Sequence, residues 1–315
     1  MKRLLVALSL ACSAVAGHAA ELPSLEIIAP AGPGGGYDQL ARAAQSALME
    51  EGIVTSIQVN NRPGAGGTLG LAEFVTKNKN GVNLIATGIG MVGSIVTSKS
   101  PVRMDQTKPL ALMTGEYLTI VVGKNSPIRN MSDLAEAYRK NPATLSLGGF
   151  AAGGSDHLLY GAVVQSFNGD VSKMNYVVMG AGGELLAPVM GGHISTAAGG
   201  YNEFASQIKS GALRAIGIAS PTRLPGIDVP TMKEQGFDVD LVNWRGFLAP
   251  AGISDADRAK LDKALGSMVK SERWQKLLEA RGWVDLYMPS DKFAEFLANE
   301  DKKVTTTLRS LKLID

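Results

Sequence analysis

Six glycine-rich segments, each set beside a short apolar run, limit what this chain can fold into. They are GPGGGYD (32–38), NRPGAGGTLG (61–70), TGIGMVG (87–93), GGFAAGGSDH (148–157), MGAGGE (179–184) and AAGGYNE (197–203). Short β-branched or apolar runs read as strands at 25–28, 56–59, 83–87, 118–122, 145–147, 175–179, 194–198 and 215–219. Helical patterns lie between them at 38–49, 68–77, 132–140, 156–167, 183–190 and 201–209. Alternation of this kind builds parallel sheets covered by helices. Several strands are apolar throughout, as required when both faces are buried. Open α/β sheets bind ligands beyond the carboxyl ends of their strands. Glycine turns at that edge expose backbone N–H groups at helix starts. The six segments together therefore predict an α/β chain with one amide-lined cleft.

The last third of the chain differs. Ser254 followed by Asp257 reads as a helix start, with Leu261, Ala264, Leu265 and Met268 on one face. A second helix spans 273–280 and stops at Gly282; a third opens at Pro289-Ser290 and turns Phe293, Phe296 and Leu297 inward. Trp274 and Trp283 read as packing residues on such apolar stripes.

The first twenty residues read as a secretory signal peptide: Lys2 and Arg3, then apolar 4–15, then Gly17-His18-Ala19-Ala20 before Glu21. Cleavage is expected after Ala19 or Ala20. Cys12 is a poor lipidation site, because LSLAC puts Ser9 where an aliphatic residue belongs. The precursor carries 31 Lys+Arg against 29 Asp+Glu. Loss of Lys2 and Arg3 leaves the mature chain neutral, which argues against nucleic acid or an anionic membrane as partner. The single cysteine leaves with the leader, so no disulfide, thiolate nucleophile or sulfur ligand is expected.

A phosphate-binding reading of the first glycine segment fails on detail. Tyr37 occupies the sixth position of G-x-G-x-x-G, and no G-x-x-x-x-G-K-[ST] occurs. A smaller anion at helix N-termini fits better, each terminus favouring negative charge by about 0.3–2 kcal/mol. Asp38 reads equally as a cap of its own helix or as a ligand or water contact. Catalytic signatures are missing: there is no G-x-S-x-G or H-E-x-x-H, and His157 and His193 alone follow the leader. Ser155 beside His157 reads as a helix cap rather than a nucleophile. No cofactor, no metal and no enzymatic activity are expected, with a secreted α/β enzyme kept as the lesser alternative.

Six ordered motifs resemble one known family. They are APAGPGGGYDQLAR (29–42), VNNRPGAGGTLG (59–70), GGSDHLLYGAV (153–163), GGHISTAAGGYNEF (191–204), LRAIGIASPTRLPGIDVPTMKEQG (213–236) and WRGFLAPAGIS (244–254). The chain resembles the extracytoplasmic solute receptors of tripartite tricarboxylate transporters, also called Bug receptors, and its first loop looks most like the tricarboxylate-binding branch. The resemblance implies a type II periplasmic binding protein: two lobes, crossing strands and a central ligand cleft. Lobe one would comprise 21–122 and 226–315, and lobe two 123–225. It implies a periplasmic monomer that captures a small carboxylate, citrate or a related tricarboxylate foremost, for the permease subunits. A dicarboxylate or aromatic acid, or a partnership with a membrane sensor kinase, stays open. Carried over by motif, the ligand-binding positions are Gly35, Gly36, Tyr37 and Asp38, then Ala65, Gly66, Gly67 and Thr68. From lobe two come Gly153, Gly154, Ser155, His157, Gly180, Ala181, Gly182, Tyr201 and Asn202. The rim segments hold one arginine, Arg62, few for a tricarboxylate; Arg62 reads equally as a local packing residue, as does Arg245.

Overall fold

A computed structural model describes residues 22–77, 82–179 and 183–315; the leader and Gly180, Ala181 and Gly182 lie outside the described residues. One long strand, β4 (Thr107–Gly123), organises everything else. Its first half lies antiparallel to β9 (Val242–Pro250) and β10 (Val284–Met288). Its second half lies antiparallel to β7 (Thr196–Gly200) and β8 (Leu213–Ile218). β9 then pairs antiparallel with β3 (Asn83–Gly88), which continues in parallel through β1 (Leu22–Ala29) to β2 (Val54–Asn61). On the other side β7 continues in parallel through β5 (Ser146–Gly149) to β6 (Asn175–Val178). Two parallel three-stranded groups thus flank an antiparallel junction, in the order β2-β1-β3-β9-β4-β7-β5-β6.

Every expected strand lies within or overlaps one observed, and six of them build the parallel groups; 118–122 and 215–219 instead fall in β4 and β8, which pair antiparallel across the junction, a correction to the all-parallel expectation. The junction is the part that alternation misses. The first half of β4 reads TKPLALMTGEY, and β9 reads VNWRGFLAP; proline, glycine and charge interrupt both runs. Each is nonetheless buried along nearly its whole length, because the junction has sheet or helix on every side.

The helices are α1 (Gly36–Glu50), α2 (Thr68–Lys77), α3 (Ile89–Thr97), α4 (Met131–Lys140), α5 (Ser155–Ser166), α6 (Gly183–Met190), α7 (Tyr201–Lys209), α8 (Asp255–Met268), α9 (Glu272–Ala280) and α10 (Ser290–Ser310). α1 buries Leu40, Ala44 and Leu48 against Ile27 of β1 and against Leu265 and Trp274 of α8 and α9. The small residues of its stripe let helix and sheet approach closely. α3 lies where the sequence reads as a glycine loop; its two glycines lower helix propensity, and close packing against neighbouring backbone offsets that.

The C-terminal region divides between the two halves. Residues 227–239 pack on the second: Thr231 bridges Ile218, Gln235 accepts from the Met131 N–H at 3.1 Å, and Phe237 meets Phe167 edge-on. The end of α10 reaches the second half as well, where Leu311 covers Gly161 of α5. Among the described residues no helix is long and apolar enough to cross a membrane.

Candidate functional site

All six glycine segments contribute to the lining of one cleft of about 690 Å³. It sits beyond the carboxyl ends of β1, β2 and β3 on one side and of β5, β6 and β7 on the other. From the first half come Gly35, Gly36, Tyr37, Ala65, Gly66, Gly67 and Gly90; from the second come Phe150, Gly154, Ser155, Met179, Gly200 and Glu203.

The helices that start near this cleft lack caps from their own N-cap side chains. α1, α3, α5 and α7 begin after Gly35, Gly88, Gly154 and Gly200, none of which can supply a side-chain oxygen. α4, α8 and α9 border no part of the cleft, and there Asn130, Ser254 and Ser271 cap the helix in the usual way. The first-turn N–H groups of a helix have no intrahelical acceptor; at α5 the Asp156 carboxylate takes those of Asp156 and His157, and the glycine caps leave the others open to a ligand. The second loop is shaped to the same end. Gly66 has φ +65°, and a Cβ there would run into Ser94 of α3.

The floor of the cleft is ionic. Arg245 on β9 is buried and its guanidinium bonds Glu116 on β4. Glu116 also accepts from Asn243 Nδ2 and from Trp283 Nε1, each at 3.2 Å. Alternation along β9 explains the placement: Trp244 turns into the core and bonds Glu300 at 2.8 Å, so its neighbour turns out toward the cleft. Gly36 and Gly200 make room for this pair, since a Cβ on either would overlap Arg245 or Glu116. Glu203, on the first turn of α7, stands 3.9 Å from Arg245. Burial, then the nearby Glu116 charge, push its carboxyl up to about 8, with Arg245 opposing.

Behind the fourth loop, Asp156 accepts from the Phe150 N–H at 2.7 Å and from the Tyr176 hydroxyl. Burial still raises its carboxyl to about 6. His157 stacks on Tyr176 with ring centroids 3.9 Å apart, and its Nδ1 accepts from Gly153 N–H at 3.1 Å. Burial lowers its pKa to about 4, which keeps the ring neutral and an acceptor. Tyr37 is raised to about 12 by burial and accepts a bond from the Met91 backbone, leaving its own proton to donate.

The structure brings Gly35, Gly36, Tyr37, Ala65, Gly66, Gly67, Gly154 and Ser155 to the cleft lining. The other described positions stand behind it. Asp38 is buried and ties its own loop, accepting from Gly34 N–H, Arg42 and Asn61 at 2.9 Å each. Burial opposes its charge, but those bonds outweigh it and hold the carboxyl below its ordinary value. Thr68 closes the turn at Ala65 with a 2.9 Å bond, Gly153 donates to His157, and Tyr201 packs beside Ile218 and Ile227. Asn202 bonds the Arg281 carbonyl across the two halves. Gly180, Ala181 and Gly182 lie outside the described residues, between the lining residues Met179 and Glu184. Arg62 bonds Glu73 and the Asn61 carbonyl, a local role.

Glu116, Asp156 and Glu203 are the groups that sequence reasoning passes over. Asp156 and Glu203 lie inside quoted segments, each two or three residues past a glycine helix start, which is the available signal. Glu116 carries none; the pairing of β4 with β9 alone brings it to Arg245.

The profile of the tripartite tricarboxylate transporter family receptors (TctC) matches residues 40–313. A UPF0065 protein of Bordetella pertussis is 27% identical over 92% of this chain and 90% of its own length. Among solved structures, the periplasmic binding protein BugD superposes with TM-score 0.81 at 21% identity, over 92% of this chain and 98% of its own. MatC from Rhodopseudomonas palustris with bound malate gives 0.80 at 22% identity, over 91% and 99%. R. palustris Rpa4515 with adipate gives 0.83 at 17% identity, over 92% and 97%. These three share the two-lobed fold of periplasmic binding proteins. With the profile running across both halves of the sheet and the cleft between them, this chain belongs to the tripartite tricarboxylate transporter receptor family.

Proposed function

We propose that the chain is exported to the periplasm, its leader removed near Ala19 or Ala20, and there captures a small acid with one or two carboxylates. The observation that carries this reading is the charge content of the cleft. Its donors are backbone amides at four glycine-opened helices, and Arg245, the one cation among the described lining residues, is already bonded to Glu116. Burying an anion needs compensating donors. Oriented amides can compensate one or two carboxylates, but each further one adds charge that no unpaired cation among the described lining residues offsets. A dicarboxylate is therefore favoured over citrate, in keeping with the malate and adipate bound by two structures of the same fold. The chain makes and breaks no bond in this role; it binds and releases.

One lobe consists of β1–β3, β9, β10 and the first half of β4. The other consists of β5–β8, the second half of β4, residues 227–239 and the tail of α10. Closure of the lobes about β4 and β9 would bury the ligand and form the surface presented to the permease subunits. A thermal-shift panel of malate, adipate, succinate, citrate and benzoate tests the reading. A ligand at one hundred times its Kd should stabilise the protein by about 2.7 kcal/mol. Absence of a shift with every one of these acids overturns it.

A further inference from the structure

Glu203 faces the cleft among more acids than bases. Around it stand Glu116 from β4, Arg245 and Asn243 from β9, Asp156 from α5, and Tyr37 from α1. Glu184 opens α6 on the same lining, and Arg281 and Trp283 lie beyond Glu116. Arg281 is stacked over Trp283 at 5.1 Å and donates to Gln39. Arg245 is held by Glu116 and stands 3.9 Å from Glu203, outside hydrogen-bond distance. An acid in the first turn of a helix has an ordinary use in balancing the helix dipole. The Glu203 carboxyl also accepts from the Gly200 N–H at the start of its own helix, yet the side chain is only 13% exposed and has a second glutamate behind it, so ionising it there is costly.

We propose that Glu203 is a specificity residue of the cleft, meeting the ligand as an uncharged acid and donating its O–H to a ligand carboxylate. The proposal rests on the carboxylate reading above. It explains how an acid can line an anion site: a protonated carboxyl is a donor, while an ionised one repels the ligand. At neutral pH the proton is in place, because burial and Glu116 raise the carboxyl to about 8. Above that value the free protein loses the proton, and an anion can bind only by drawing it back. Asp156, raised to about 6, and Tyr37, raised to about 12, titrate outside the interval from pH 7 to 9. Glu203 is thereby isolated in it.

Isothermal titration of malate and adipate at pH 7, 8 and 9, in HEPES and in Tris, tests this. Both acids are fully ionised throughout. Linkage predicts about tenfold weaker binding at pH 9 than at pH 7, and uptake of about half a proton per ligand at pH 8. Glu203→Gln carries a donor that does not titrate, so it should lose both the slope and the uptake. The wild-type proton count stands alone if that variant does not fold. Binding with equal Kd at pH 7 and 9 and no proton uptake overturns the role of Glu203 and leaves the receptor reading intact. An unchanged slope in Glu203→Gln overturns it too. Failure of malate, adipate, succinate, citrate and benzoate alike to bind at any pH removes the carboxylate reading, and this inference with it.

Discussion

Gly93→Ala is the sharpest test of how the two halves cooperate. Gly93 lies in the middle of α3, and a Cβ there would sit 1.9 Å from the carbonyl oxygen of Gly153 in the loop before α5. Ordinary contact begins at 3.4 Å, so α3 and that loop must part by about 1.5 Å. They belong to opposite halves, joined along the same seam by the 2.9 Å bond from Thr97 Oγ1 to the Ala152 carbonyl. Alanine is the better helix former by about 1 kcal/mol, so the helical conformation of α3 is not weakened and the cost comes from the contact with the loop. The loss should fall on ligand binding, which needs donors from both sides at once. A separation of that size removes at least one hydrogen bond to a charged ligand, worth about 1.5–3 kcal/mol. Calorimetric titration should then show roughly ten- to hundredfold weaker binding, and ligand-free stability should fall by about 1–3 kcal/mol as well, because the atom met is backbone and cannot yield cheaply. A variant that binds as tightly as wild type would refute the reasoning that the seam between α3 and the 151–154 loop sets the geometry of capture.

Two further outcomes concern stability. Arg245→Met or Glu116→Gln alone leaves an uncompensated buried group and should cost about 3–5 kcal/mol in urea unfolding, whereas the double variant should cost far less than the two together; additive losses would show that the pair is not coupled. His157 has a depressed pKa, so its contribution is intact above its ordinary pH of 6.5 and lost as pH falls through about 4. Over that window the loss amounts to up to about 3 kcal/mol. Asp156, raised to about 6, acts in the opposite sense, since its burial penalty fades as pH drops below that value. His157→Gln should therefore lose less stability than wild type between pH 6.5 and 4, and parallel curves would contradict the assignment.

The parallel parts of the fold are legible because their signals are local. Apolar runs such as Ile27-Ile28 and Leu84-Ile85 followed by glycine turns predict both the strands and the edge where the cleft lies. The antiparallel junction is not legible, because β4 and β9 are held by neighbours far away in sequence; Glu116 pairs opposite Asn243. The same separation hides the ionic floor. Asp38 and His157 show the converse limit: each stands in a segment that lines the cleft, yet its side chain turns back to tie its own loop. A motif fixes where the backbone runs. Which side chains turn inward depends on partners such as Asn61 and Tyr176, which no spacing reveals.

The central claim is that backbone amides at glycine-opened helices of both halves hold a carboxylate. A crystal structure of the protein grown with the acid that gives the largest thermal shift tests it most directly. The account predicts a ligand carboxylate bonded to first-turn N–H groups of α1 and α5, directly or through one water, with Glu203 beside it. A ligand seated elsewhere, or held chiefly by Arg245 released from Glu116, would contradict it.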